Sequence, residues 1–169
     1  MKTFSEFMLE CSQLDESSLS RIKSKSDKGG MAILSGSRGD KSKKENKARA
    51  KQLDRDIKGK GLPGATKVTG RWTENPGTKD EKKVKERSHV VTSGKKSKKK
   101  FKKDMKSLGH KYGQYSVLIQ KKSGTAGLKA TRKGGLGDKK SVSIGKMRPG
   151  RPDKEGDTTV KKKPLSYVK

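Results

Sequence analysis

A lysine-rich segment that keeps the apolar period of a helix, residues 97–113, constrains the fold of this chain most strongly. Four apolar side chains recur there at steps of four, three and four residues: Phe101, Met105, Leu108 and Tyr112. This spacing marks one face of an α-helix, and Ser97 is a residue type that caps helix starts. The sequence YSVLIQ at 115–120 then predicts a strand. Because a disordered basic tail has no reason to keep such a period, we predict a folded unit with a cationic outer face.

The composition limits how much of the chain can fold. The chain has 169 residues, a formal charge of +28, 25% hydrophobic residues and 4% aromatic residues. Such values by themselves favour disorder, because little apolar surface is available to offset chain entropy. One cysteine, two distant histidines and no apolar run of membrane length predict no disulfide, no metal site, no cofactor and no membrane partner.

The N-terminal residues 1–14 form the first of four predicted segments. Their apolar side chains fall on one helical stripe: Phe4, Phe7, Met8, Cys11 and Leu14. Two interpretations stay open, a helix packed on its own domain and a docking helix for a protein partner. Residues 15–30 are rich in serine and lysine, which favours a linker with one short turn around Leu19 and Ile22.

The remaining chain divides into an α/β domain over 31–147 and a flexible basic C-terminal segment over 148–169. A capping box formed by Ser42 and Glu45 predicts the first helix of this domain. The expected elements are a strand at 31–36, a helix at 42–58, strands at 65–72 and 86–94, the lysine-rich helix, and the strand at 115–120.

This order predicts an α+β fold, a split β-α-β (βαββαβ) two-layer sandwich with both helices on one face of a mostly antiparallel sheet. The alternative is a mixed sheet extended by later strands, with PLSYVK at the C-terminus as a small edge strand.

Several motifs together resemble a known group of sequences. These are AILSGSRG, KENKARAKQLDRDIKGKG, TKVTGRW, the Glu-x-Ser strand of ERSHVV and LGHKYGQYSVLIQ. Over about residues 31–122 the chain resembles an uncharacterised α/β family of bacteria and tailed phages, and Asn46 and Gln114 are the most specific positions. The opening MKTFSEFM is similar to the first residues of structural and accessory proteins of marine cyanobacterial phages. The resemblance implies a phage-encoded protein, located in the virion or the host cytoplasm, without an established activity.

No complete catalytic motif is present. The loop GSRGDKS at 36–42 lacks the spacing of a phosphate-binding P-loop, although its place between a strand and a helix suits an anion. An ordinary β–α loop is the alternative. If an enzyme site exists, we expect it at strand ends, built from Arg38, Glu45, Asn46, Glu86, Tyr112 and Gln114.

The charge leads to the functional prediction. Lysines that neutralise phosphates release counterions, so a chain of this charge favours polyanions. We predict a non-enzymatic protein that binds nucleic acid without sequence preference. The predicted contacts are Lys95, Lys96, Lys98, Lys99, Lys100, Lys102, Lys103, Lys121 and Lys122, with Arg38 and Lys41. The alternatives are a virion component that contacts an acidic protein surface, and a small enzyme or inhibitor of a host factor.

Overall fold

The structure, a computed structural model, describes residues 19–74, 79–149, 156–160 and 163–168. Three helices lie in these ranges: α1 over residues 19–29, α2 over Lys43–Gly59 and α3 over Lys98–Lys111. The strands are β1 Met31–Leu34, β2 Thr66–Glu74, β3 Lys82–Thr92, β4 Ser116–Gln120, β5 Thr125–Ala130, β6 Gly135–Asp138, β7 Ser141–Pro149, β8 Gly156–Val160 and β9 Lys163–Val168.

All of these strands except β6 form one closed barrel in the order β1-β3-β2-β8-β9-β7-β5-β4, and β4 pairs back onto β1. Every pair in the barrel is antiparallel. The register places Leu34 opposite His89 on β3 and Met31 opposite Gln120 on β4. Among the strands that the structure describes in the barrel, closure leaves no row of unpaired backbone groups along a sheet edge.

The α+β class and the βαββαβ order from β1 to β4 are confirmed. The later strands extend this sheet until it closes, whereas the predicted sandwich had an open sheet. Strands β8 and β9 lie within 148–169, which we expected to be a flexible segment, and they pair with β2 and β7. These partner strands are far away in sequence, so no local sequence pattern predicts the closure of the barrel.

The ends of α2 and α3 follow the predicted signals. The Ser42 hydroxyl accepts from the Glu45 N–H, and a Glu45 carboxylate oxygen accepts from the Ser42 N–H, which completes the capping box. Ser97 caps α3. Gly113 follows the last turn of α3 with a φ of 74°, a left-handed conformation that glycine adopts without strain.

The outer face of β1, β3 and β4 carries the main core. The predicted apolar stripes of both helices are buried here, and they pack with Ala32, Leu34, Val91 and Val117 of the sheet. The inward side chains are Leu53 and Ile57 of α2 and Phe101, Met105, Leu108 and Tyr112 of α3. Burial of each large apolar side chain contributes about 1.5–3 kcal/mol, so this layer anchors both helices on the barrel.

A second apolar cluster fills the barrel interior. It joins Met31, Val68 and Val90 to Met147 and Tyr167, which come from opposite arcs of the barrel. Leu19 and Ile22 of α1 belong to the same cluster. The predicted linker over 15–30 therefore needs correction, because residues 19–29 form a helix that packs on the barrel interior.

A buried polar chain fixes α1 to one end of the barrel. The Tyr167 hydroxyl donates to Oε1 of Gln120 at 3.0 Å, and the Gln120 amide donates to the Ser26 hydroxyl at 3.3 Å. We call this the proximal end and the opposite one the distal end. The predicted docking residues Phe4, Phe7, Met8, Cys11 and Leu14 lie outside the described residues, and their role stays a prediction.

Candidate active site at the distal end of the barrel

The distal end gathers several of the residues that the sequence marked as enzyme candidates. It is the end where β1 finishes and β4 begins, with the first half of β3 beside them. The loop from β1 to α2, residues 35–42, and the turn from α3 to β4, residues 112–115, meet here. Mouths of β-barrels are frequent ligand sites because loops converge there over a rigid scaffold.

Gln114 ties the three strands at this end together. Its Oε1 accepts the N–H of Ser35 at 2.9 Å, directly after β1. The Ser35 hydroxyl donates to the carbonyl of Arg87 on β3 at 2.7 Å and accepts the N–H of Ser37 at 3.0 Å. The starts of the loop and of β4 are therefore held in fixed positions relative to β3.

Asn46, in the first turn of α2, closes the loop in the same way. Its Oδ1 accepts the N–H of Arg38 at 2.9 Å, while its Nδ2 donates to the carbonyls of Arg38 at 2.9 Å and Lys41 at 3.2 Å. The side-chain amide thus satisfies both polar groups of one loop residue. This arrangement needs an asparagine, because a carboxylate offers no donor.

Arg49 completes the corner and was not among the site residues predicted from the sequence. Its Nε donates to the Gly36 carbonyl and its Nη2 to the Tyr112 carbonyl, both at 2.7 Å. One planar guanidinium therefore joins the β1–α2 loop to the end of α3. Arg49 lies three residues after Asn46 on the same helix face, and this spacing was the sequence signal that could have identified it as a residue of the corner.

The guanidinium of Arg38 makes two hydrogen bonds within the protein, and its role in anion binding stays a prediction. Its Nε donates to a carboxylate oxygen of Asp40 at 2.8 Å, and its Nη1 donates to the Gly113 carbonyl at 3.2 Å. The hydrogen bond from Arg38 lowers the pKa of Asp40. Several loop N–H groups already have acceptors within the protein, namely those of Ser35, Ser37, Arg38, Lys41 and Ser42. These hydrogen bonds favour the alternative that we left open, an ordinary β–α connection.

Glu86 lies on the inner face of the barrel near this corner. Val68 belongs to the inner cluster, and Ser88 lies opposite it on β3. Since side chains alternate along a strand, Glu86 also points inward, opposite Gly70. It is half-buried, and its neighbour Arg87 accepts the Ser35 bond described above. The corner therefore places a carboxylate beside a rigid hydrogen-bonded loop.

The two remaining enzyme candidates, Tyr112 and Glu45, make contacts that stabilise the helices. Tyr112 is buried between the helices, and its hydroxyl donates to a carboxylate oxygen of Asp56 at 2.8 Å. Burial and this carboxylate raise the pKa of Tyr112. Glu45 is exposed and serves the capping box of α2. The structure thus groups Arg38, Asn46 and Gln114 in one network with Glu86 on the adjoining strand.

The predicted polyanion contacts do not form one surface with this corner. The exposed lysines are Lys95, Lys98, Lys99, Lys100, Lys102 and Lys103 around the start of α3 and Lys121 and Lys122 after β4, at the proximal end; Lys41 is exposed in the distal loop. Lys96 is mostly buried and paired with Asp104. Since α3 has 14 residues, about 20 Å separate its two ends.

A cavity of about 190 Å³ lies beside α1, at the proximal end. Its walls include Arg21, Ile22, Lys25, Gly64, Thr66, Val90 and Thr92. The charged side chains among these are cations, and none of them belongs to the distal network. This cavity is therefore a separate feature from the corner.

Two kinds of feature are absent from the part of the chain that the structure describes. No helix there combines the length and apolar character needed to cross a membrane. No cluster of three or more histidine, cysteine or acidic side chains there could hold a metal ion.

The fold and the corner together define a small α+β barrel domain with a candidate ligand site at its mouth. A family model described as the S-adenosylmethionine lyase family matches residues 32–168. The match covers the barrel from β1 to β9, and the chain belongs to this family. A comparison with curated proteins finds no match.

This membership corrects the functional prediction. The family is an enzyme family, so the expected non-enzymatic polyanion binder is wrong. The phage, virion and DNA-binding assignments find no support in the match either. Net charge is a sound argument about solubility and association, but it does not identify the chemistry of a site.

Proposed function

We propose that this protein is a lyase that breaks a carbon–sulfur bond of S-adenosylmethionine at the distal end of the barrel. The observation that carries the proposal is the family match over residues 32–168. The distal network supports it, because it fixes loop and strand ends around a mouth with an inward carboxylate. Preorganised surroundings of this kind hold a substrate in a reactive geometry.

The chemistry of a sulfonium explains why few catalytic groups are needed. When a C–S bond of the sulfonium breaks, both bonding electrons go to sulfur, which leaves as a neutral thioether. Two routes balance this cleavage: a base accepts a proton from the adjacent carbon while a double bond forms, or a nucleophile of the same molecule, such as its carboxylate, bonds to the carbon as sulfur leaves. Both routes balance without water, so an activated serine or cysteine is not required.

Charge complementarity assigns a role to Glu86. The sulfonium carries a permanent positive charge, and the protein as a whole carries +28. A local carboxylate is therefore needed to favour binding of the sulfonium end. Asp40 and Glu45 are exposed and lie in the loop and the cap, whereas Glu86 is half-buried and directed to the inner face. The proximal cavity, with Arg21 and Lys25 in its walls, suits this cation less well.

The first experiment is direct. Purified protein is incubated with S-adenosylmethionine, and the products are identified by liquid chromatography and mass spectrometry. We expect loss of substrate together with a neutral adenosyl thioether, whose structure reveals which C–S bond was broken. Intact substrate after long incubation at high protein concentration would reject the proposed activity.

The substitution Glu86→Gln tests the assigned role, because it removes the charge and keeps the shape. We expect kcat/KM to fall about 10- to 100-fold, which corresponds to about 1.4–2.7 kcal/mol of lost transition-state stabilisation. Glu81→Gln is the matched control, since Glu81 is exposed and precedes β3. Equal kcat/KM values in both variants would remove Glu86 from the site.

A further inference from the structure

One aromatic side chain at the distal end is strongly exposed. Tyr115 has 62% of its surface accessible and is the large apolar side chain that stands out as exposed among the described residues. Arg132 lies over its ring, with the guanidinium carbon 3.8 Å from the ring centroid. Resting on the proposed function, we propose that Tyr115 and Arg132 form the platform on which the adenine ring of the substrate stacks.

The backbone of Tyr115 is held firmly despite the exposure of its ring. Its carbonyl accepts the N–H of Thr131 at 3.1 Å, and the Thr131 hydroxyl donates to the carbonyl of Gln114. A Cβ on Gly135 would lie 2.1 Å from the Tyr115 carbonyl oxygen, so the turn packs directly against this residue. An exposed ring on a fixed backbone loses little freedom when a ligand stacks on it.

Arg132 prepares the ring for a flat partner. A guanidinium stacked on an aromatic face fixes the ring by cation–π attraction and leaves the opposite face for a second ring. Arg38 is also close, because the side chain of Tyr115 adds a small contribution to the raised pKa of Arg38, which Asp40 mainly causes. The platform thus adjoins the corner network.

The distance between the platform and Glu86 suits the two ends of the substrate. Tyr115 directly precedes β4 and Glu86 lies on β3, with β1 between these two strands. Two strand spacings amount to about 10 Å. A sulfonium at the carboxylate of β3 and a purine at the aromatic ring before β4 would therefore lie about two strand spacings apart across the sheet. Stacking binds the flat face of the purine, while the sulfonium binds at the inner face of the barrel.

The test separates the two halves of the substrate. We expect Tyr115→Ala to raise KM for S-adenosylmethionine about 5- to 50-fold with a much smaller change in kcat, from the usual strength of stacking between a base and an aromatic ring. Tyr115→Trp keeps a ring and should restore KM. Inhibition by adenosine should weaken in Tyr115→Ala in parallel, while inhibition by methionine should stay as in the wild type.

The outcomes for the platform and for the activity are distinguishable. If the wild type cleaves the substrate and Tyr115→Ala leaves both KM and adenosine inhibition unchanged, the platform is wrong and the lyase activity stands. If the wild type cleaves no substrate, calorimetric titration with adenosine still decides: binding that is lost in Tyr115→Ala and regained in Tyr115→Trp supports the platform, and equal or absent binding refutes it. Thermal unfolding of each variant confirms that the fold is retained.

Discussion

The close packing of α3 on the sheet at Gly109 offers a sharp test of the distal corner. Gly109 is buried, and a Cβ at this position would lie 2.4 Å from Cγ1 of Val117 and 2.7 Å from Cγ2 of Thr131. Both neighbours are β-branched side chains, which are stiff at χ1. The substitution Gly109→Ala therefore forces the last turn of α3 away from β4 and disturbs the Gln114 turn that follows.

Two opposing effects determine the size of the change in stability. Alanine is favoured over glycine within a helix by roughly 0.5–1 kcal/mol, whereas an extra methyl group in a packed interior costs about 1–3 kcal/mol. We expect a net loss of about 1–2 kcal/mol for Gly109→Ala. Gly59 in α2 is the matched control, since a Cβ there meets no atom within 4 Å. Gly59→Ala keeps only the helix preference and should stabilise by up to about 1 kcal/mol.

Urea unfolding followed by circular dichroism measures both variants against the wild type. The midpoints should fall on opposite sides of the wild-type midpoint, and Gly109→Ala should also lower kcat because the corner shifts. If Gly109→Ala is as stable as Gly59→Ala, α3 does not lie so close to β4, and the geometry of the distal corner is wrong.

Two further predictions concern charge. His89 is 1% exposed beside Asp54 and Lys67, and burial lowers its pKa from 6.5 even though Asp54 opposes this shift. Its contribution to stability is therefore complete above pH 6.5 and is lost as the pH falls, because the unfolded state binds the proton more readily. Between pH 7 and 5 the unfolding midpoint should drop less in His89→Gln than in the wild type. Equal changes of the midpoint with pH in the two proteins would contradict this account. Raising the ionic strength from about 0.01 to 0.15 M shortens the Debye length from about 30 to 8 Å. It should raise kcat/KM for the cationic substrate, measured by initial rates at fixed pH, whereas a fall would show that attraction dominates the approach.

Helices α2 and α3 and strands β1 to β4 could be predicted because their signals are local. Capping residues lie three positions from their partners, and the stripe from Phe101 to Tyr112 repeats every three or four residues. The lysines did not hide this stripe, because they occupy the remaining faces of α3. Such periodicity reflects burial against a neighbour and needs no knowledge of what that neighbour is.

The closure of the barrel and the helix α1 could not be predicted from local sequence signals. The register of β2 with β8 joins Thr69 to Thr159, and no composition signal links positions so distant in the chain. Residues 19–29 contain few apolar side chains, but Leu19 and Ile22 suffice because they enter an interior that the barrel has already formed. Tertiary contacts outweighed a local preference for a linker.

The corner was only partly accessible from the sequence. Asn46 and Gln114 were identified as specific positions, and the structure explains both by the backbone groups that they satisfy. Glu86 needed the register of β2 with β3 before its inward direction could be derived. The proposed activity left no motif, since neither of the two proposed routes of C–S cleavage demands an activated serine or cysteine.

The net charge of +28 is compatible with the proposed cationic substrate, because distance and salt screening weaken the repulsion between them. Most exposed lysines of α3 lie in its first half, and Lys111 is exposed at its last residue. Burial is the main cause of the lowered pKa of Lys129, and Lys102 and Lys106 add to it. The distal corner lies at the other end of a helix that is about 20 Å long. This distance exceeds twice the Debye length of about 8 Å at physiological ionic strength. At that ionic strength the lysines at the start of α3 are therefore screened from the proposed sulfonium site, whereas at low salt they would oppose the approach of a cationic substrate.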